Sequence, residues 1–111
     1  MEARAIAKKQ RISPIRARLV MDLIRGKSAT EALTILNNVN KKASRLIIKV
    51  LNSAIANAVN NEGANASELY VVEARVDAGP VMKRHMFDSR SHIGHNDHRT
   101  SHIIIKVATK N

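Results

Sequence analysis

The chain has no cysteine and no tryptophan, a single phenylalanine and a single tyrosine, and nine acidic residues against nineteen lysines and arginines. Each shortage closes off a class of protein. Without cysteine there is no disulfide-stapled secreted scaffold, no thiolate metal ligand and no thiol nucleophile. With so few aromatics there are almost no platforms on which unstacked bases could lie, as they do in single-strand binders of the RRM or OB type. No apolar stretch approaches the roughly 18 residues of a membrane span. The segment from Met1 to Arg11 lacks the apolar core of a signal peptide. The chain reads as cytosolic.

What is present is positive charge. The formal net charge is +10 over 111 residues, a length that suits one domain with a modest core. Such an excess attracts phosphate polyanions, and the missing aromatics favour structured nucleic acid held through phosphate and groove contacts. The charge is uneven. Residues 1–27 hold eight bases (Arg4, Lys8, Lys9, Arg11, Arg16, Arg18, Arg25, Lys27) against two acids. A second group, Lys41, Lys42, Arg45 and Lys49, occupies one stretch, whereas Glu62, Glu68, Glu73 and Asp77 face only Arg75 in residues 62–77. This pattern suggests one face on a polyanion and another in solvent.

Hydrophobic patterning divides the chain into elements. Over Glu2–Ile12, Ala3, Ala5 and Ala7 alternate with Arg4, Ile6 and Lys8, which fits a strand with a small-residue face, although alanine also favours helix. Strand is preferred because the next element starts cleanly at Ser13-Pro14. Ser13-Pro14 reads as a helix start, Ile15, Leu19, Leu23, Val20 and Ile24 recur at helical spacing, and Gly26 ends the run. Arg18, Asp22 and Arg25 fall on the opposite side, spaced to bridge one another. Ser28-Ala29-Thr30-Glu31 is a capping box opening a short helix with Ala32, Ile35, Leu36 and Val39 inward. A third helix is expected from about Lys41 to Asn61, with Ala43, Leu46, Ile47, Val50, Leu51, Ala54 and Ala58 as its core stripe and Gly63 as its stop. Leu69–Val76 alternates as a strand, Tyr70, Val72, Ala74 and Val76 against Leu69, Val71, Glu73 and Arg75, and Ile103, Ile105 and Val107 mirror it. The expected architecture is a single α+β domain over 1–111, three helices packed on a small antiparallel sheet.

Between Gly79 and His102 the core pattern stops. The segment holds all five histidines, four bases (Lys83, Arg84, Arg90, Arg99) and few bulky apolar residues. A connection this long in a compact domain implies a use. Two antiparallel strands running out and back would make a long protruding β-hairpin arm at about 79–102, which in so basic a chain suits insertion into nucleic acid. The histidines invite a metal reading, with His92, His95 and His98 spaced by three, His102 beyond, and Asp88 and Asp97 nearby. That spacing alternates faces on a strand, and Gly94 and Asn96-Asp97 argue against helix. Exposed polar tip residues touching phosphate are the preferred account, with no metal and no cofactor. No nucleophile triad or glycine-rich phosphate loop has structural context, so the chain is read as a non-enzyme.

Several longer motifs occur in order: Arg18-Leu19-Val20-Met21-Asp22-Leu23-Ile24-Arg25-Gly26-Lys27, Ala32-Leu33-Thr34-Ile35-Leu36, Ser53-Ala54-Ile55-Ala56-Asn57-Ala58, Gly79-Pro80-Val81-Met82-Lys83-Arg84 and Arg99-Thr100-Ser101-His102-Ile103. Together they resemble the bacterial form of large-subunit ribosomal protein family twenty-two, over essentially the whole chain. The resemblance implies a small globular part near the peptide exit of the large ribosomal subunit and a hairpin that penetrates its RNA to line the nascent-peptide tunnel. It implies large-subunit ribosomal RNA, neighbouring large-subunit proteins and the nascent polypeptide as partners, with macrolide antibiotics binding near the hairpin tip and no membrane. Family members usually carry a proline just beyond Met-Lys-Arg and then a strongly basic, glycine-containing tip. Here Phe87 replaces the proline, and the tip reads Asp88-Ser89-Arg90-Ser91-His92-Ile93-Gly94-His95. Only the flanks Lys83, Arg84, Arg99 and His102 are therefore carried over as RNA contacts from the family pattern. An architectural DNA-binding protein with a basic β-arm is the rival class; it would normally carry an apolar wedge at the arm tip, for which Ile93 is the one candidate.

Overall fold

The computed structural model describes residues 2–79, 82–88, 92–98 and 100–109, with side chains placed for 2–79 and 100–109. In chain order the elements are β1 (Glu2–Gln10), α1 (Pro14–Ile24), α2 (Ala29–Asn38), α3 (Lys42–Glu62), a 3-10 turn (Ala66–Glu68), β2 (Leu69–Ala78), β3 (Met82–Asp88), β4 (His92–His98) and β5 (Ser101–Thr109). β1, β5 and β2 form an antiparallel sheet in that order, and β3 pairs antiparallel with β4 as a separate two-stranded ribbon. This is the expected α+β architecture with its hairpin. The radius of gyration is 16.8 Å and the longest extent 63 Å, against about 13 Å for a compact chain of this length. No helix among the described residues is long and apolar enough to cross a membrane.

The helices cover one face of the sheet. α3 buries Ala43, Ile47, Val50, Leu51, Ala54 and Ala58, nearly the whole stripe its periodicity predicts, with Leu46 half-buried. Its C-terminus closes on Gly63 at φ 68°, a left-handed position where glycine carries no Cβ penalty. α2 begins as its sequence predicts, Ser28 Oγ accepting the Glu31 N–H at 3.2 Å. At α1, Ser13 and Pro14 hold the expected start, although Ser13 contributes no side-chain cap bond.

Two expectations fail in instructive ways. In α1 the core side is Ala17, Val20, Met21 and Ile24, while Ile15, Leu19 and Leu23 face outward, 64%, 59% and 47% exposed. α1 carries two apolar arcs, and the one containing small Ala17 lets the helix approach the sheet closely. In β2 the alternation breaks at Val72, which has no partner between the pairs Val71↔Val107 and Glu73↔Lys106. This bulge shifts the phase, so Leu69 and Val71 face the core before it, and Ala74 and Val76 after it.

The sheet's outer edges are guarded. On β2, the carbonyls of Val71, Ala74 and Val76 receive, respectively, the Gly26 N–H at 3.0 Å, Arg25 Nη2 at 2.6 Å, and Arg18 Nε and Nη2 at 3.2 and 3.0 Å. Gly26, at φ 80°, makes the left-handed turn that lets the chain pair with β2. On β1, Asn57 Nδ2 of α3 donates to the Arg4 carbonyl at 3.0 Å. Unpaired edges invite foreign strands, so these side chains act against self-association.

The arm joins the domain through a tight neck. Gly79 donates to the Thr100 carbonyl at 2.9 Å, and buried Ser101 Oγ donates to the Ile12 carbonyl at 2.6 Å. A Cβ on Gly79 would overlap Thr100 Oγ1 and sit 3.3 Å from the Thr100 carbonyl carbon. Gly79→Ala is therefore expected to force the strands apart and lower stability by about 1–3 kcal/mol. Urea denaturation checks this, and an unchanged midpoint would show that the neck yields freely.

Candidate nucleic-acid interface

The cations divide by what they touch. On the open face of the sheet, ion pairs run in a line. Lys106 Nζ lies 3.6 Å from Glu2 and 3.7 Å from Glu73, and Arg75 lies 3.3 Å from Glu73 and 3.4 Å from Asp77. Exposed pairs of this kind stabilise little, about 0–1 kcal/mol each. Their consequence is local neutrality. Arg25 is likewise paired with Asp22 at 2.6 Å.

A different set has no carboxylate partner among the described residues: Arg4, Lys8, Lys9, Arg11, Arg16, Lys27, Lys41, Lys42, Arg45 and Lys49, all exposed. Most of these come from three segments that the fold brings together. Lys42 Nζ donates to the Arg11 carbonyl at 3.0 Å, which ties the start of α3 to the stretch linking β1 to α1. Arg16 lies in the first turn of α1. Lys41, Arg45 and Lys49 recur at four-residue spacing along one side of α3.

Lys8 and Lys9 sit in a β1 bulge between the pairs Ala7↔Ile103 and Gln10↔Ser101. Lys9 takes φ 54°, costly for a residue with a Cβ. Its N–H donates to His102 Nδ1 at 3.1 Å, which holds the bulge and leaves Nε2 of that ring facing elsewhere. His102 thus links the basic belt to the neck of the arm.

The electrostatics of the helix ends run against stability of the free protein. Neither α1 nor α3 has an acid in its first turn, whereas α2 has Glu31 there. A cation near the positive end of a helix dipole loses about 0.3–1 kcal/mol relative to an anion. At α1 and α3 the dipole and the side chains share one sign, so both favour an anionic partner. Ser44, buried beneath the α3 start, lies 2.6 Å from the carbonyls of Val39 and Lys41 and fixes that turn.

Over residues 5–108 the chain matches the family model described as ribosomal protein L22p/L17e. The chain belongs to that family. A protein of Halothermothrix orenii named large ribosomal subunit protein uL22 is 56% identical over 110 residues, covering 99% of this chain and 97% of its own length. Proteins of the same name from Mycoplasmopsis agalactiae (55% over 105 residues, 95% and 92% covered) and Mycoplasma mobile (53% over 110 residues, 99% and 100% covered) are similarly alike. Membership makes the chain a structural constituent of the large ribosomal subunit and not an enzyme.

The family motifs now have physical reasons. In the first, Arg18 and Arg25 spend N–H groups on the edge of β2 and Gly26 makes the turn beside it. In the last two, Gly79, Thr100 and Ser101 build the neck and His102 supports the bulge. Sequence reasoning missed Asn57 as the guard of β1, because its partner is a backbone carbonyl 53 residues away. The expected contacts at Lys83, Arg84, Arg90 and Arg99, the tip residues Asp88, Ser89, Ser91, His92, Ile93, Gly94 and His95, and the weighed metal group with His98 concern side chains outside the described residues.

Proposed function

We propose that this protein binds large-subunit ribosomal RNA through the belt of Arg4, Lys8, Lys9, Arg11, Arg16, Lys27, Lys41, Lys42, Arg45 and Lys49, helps that RNA assemble, and lines the nascent-peptide exit tunnel with the β3–β4 arm. The observation that carries the reading is the sorting of charge. Acids neutralise Arg75 and Lys106 on the open sheet face, while the belt, with Arg4 at the edge of that face, is left without carboxylates among the described residues and leads by way of His102 into the arm. Phosphates supply what the belt lacks. Arg18 and Arg25 mainly position α1 and can still offer remaining N–H groups to RNA. Lys83, Arg84, Arg90, Arg99 and His102 continue the contact along the arm, whose tip, Asp88 to His95, meets the nascent chain and sits near the macrolide site.

Co-sedimentation tests the reading. The tagged chain should remain with large subunits through a high-salt wash, and a variant lacking residues 88–98 should also incorporate but change macrolide sensitivity or stalling on arrest peptides. Recovery of the full chain free of subunits at high salt would refute RNA binding. Incorporation with unaltered tunnel behaviour would refute the arm's role alone.

A further inference from the structure

We propose that His102 serves RNA binding as a positioning residue. It acts through the backbone of Lys9, holding a strand bulge that presents Lys8 and Lys9 side by side to RNA phosphates. The inference rests on the RNA reading above and deepens it, since it says through which ring nitrogen His102 takes part.

Exposure along β1 alternates strictly from Glu2 to Lys8, and Ala3, Ala5 and Ala7 pack toward the core. An unbroken strand would carry Lys9 to that inner side, where an ammonium group is costly to bury. The bulge adds one residue, so Lys8 and Lys9 are both exposed and Gln10 takes the next half-buried place. Neither lysine has a carboxylate partner among the described residues. Asp77, which lies opposite His102 on β2, is paired with Arg75 at 3.4 Å.

The bulge takes the peptide unit between Lys8 and Lys9 out of the ladder, and two side chains hold it. Gln10 Nε2 donates to the Lys8 carbonyl at 3.0 Å, and the Lys9 N–H donates to His102 Nδ1 at 3.1 Å. Both polar groups of that unit are thereby satisfied. Nδ1 accepts only when it carries no proton, so this bond selects the tautomer with hydrogen on Nε2.

Lys9 sits at φ 54°, a region that a residue with a Cβ rarely adopts. Strain of this kind persists where the surroundings enforce it, and it collects at functional sites. Glycine or asparagine would take the same conformation at less cost. Charge accounts for a lysine there. Two adjacent, unpaired cations exposed at one strand end suit successive phosphates of one RNA backbone.

Two variants of the full-length chain separate the ring's two nitrogens. His102→Asn keeps an acceptor, Oδ1, at the place of Nδ1 and has nothing at the place of Nε2. His102→Gln keeps a donor near the place of Nε2 and loses the acceptor. Amide exchange of Lys9, followed by NMR without RNA, should quicken roughly tenfold or more in His102→Gln and stay near wild type in His102→Asn. Filter binding to large-subunit ribosomal RNA across a salt series should divide the variants in the same way. The slope of log K against log salt should flatten by about 0.7–0.9 in His102→Gln and hold in His102→Asn. Added to Lys8→Ala with Lys9→Ala, His102→Gln should flatten it no further. The proposal is overturned by unchanged Lys9 exchange or an unchanged slope in His102→Gln. A slope lost in His102→Asn, or an additive loss in the triple variant, would mark direct contact through Nε2 and overturn it too. Should His102→Gln fail to fold, the slope of His102→Asn decides alone. A wild-type chain without affinity for this RNA would refute the reading of the belt itself, and this proposal with it, whereas the other outcomes leave that reading standing.

Discussion

Replacing Lys41, Lys42 and Arg45 together with alanine is expected to weaken binding to large-subunit ribosomal RNA by roughly one to two orders of magnitude at low salt. It should also flatten the fall of log K with log salt by about 0.7–0.9 for each phosphate that is no longer neutralised. All three residues stand at the α3 start, which is joined to the end of β1 by the Lys42–Arg11 bond, so their fields add to those of Lys8, Lys9 and Arg11. Removing the exposed Glu68, which has no part in the belt, should leave the slope within about 0.5 of the wild-type value. Filter binding across a salt series measures both. Equal slope changes from the two variants would mean that net charge, and not the position of the belt, sets affinity.

The largest effect on stability is expected at Leu51. Its side chain is fully buried on α3, the helix that faces both β1 and β5 and also packs on α2. Leu51→Ala removes buried methyl groups and leaves a cavity, a loss of about 2–5 kcal/mol. That is a large share of the roughly 5–15 kcal/mol holding a small domain together. His92→Ala, on an arm whose described strands pair with each other as a separate ribbon, should move stability by less than about 0.5 kcal/mol. Guanidinium unfolding of both variants separates core from arm. A His92 variant that melts with the Leu51 variant would show that the arm is part of the cooperative unit.

How far each element could be read from sequence followed from how local its determinants are. α3 was legible because a single apolar stripe runs its length and nothing on its other side competes. α1 was not, because Ile15, Leu19 and Leu23 are as apolar as Val20, Met21 and Ile24, and periodicity alone does not say which arc meets the sheet. The buried arc is the one that contains small Ala17, and its advantage is realised only once the sheet is in place. The Val72 bulge was hidden for a similar reason, since its extra residue is defined by the partner strand. In the candidate site, the identity of the cations was plain from composition. Which of them are neutralised was not, because Glu2, Glu73 and Lys106 meet only when strands from both ends of the described chain lie side by side.

The strand order carries a consequence for the time course of folding. β5, the central strand, is the last of the described elements in sequence, and both β1 and β2 take it as their partner. A ribosome making this chain therefore emits α1, α2, α3, the arm and both outer strands before the segment that unites the sheet. Lys9 waits for His102, 93 residues downstream. Long-range closure of this kind is slow, because the entropy of a large loop is lost before any cross-strand contact compensates. Until Ser101–Thr109 emerges, the basic β1 segment has no partner strand to dock on. A polyanion that met this cationic segment at that stage would act on it before the sheet closes.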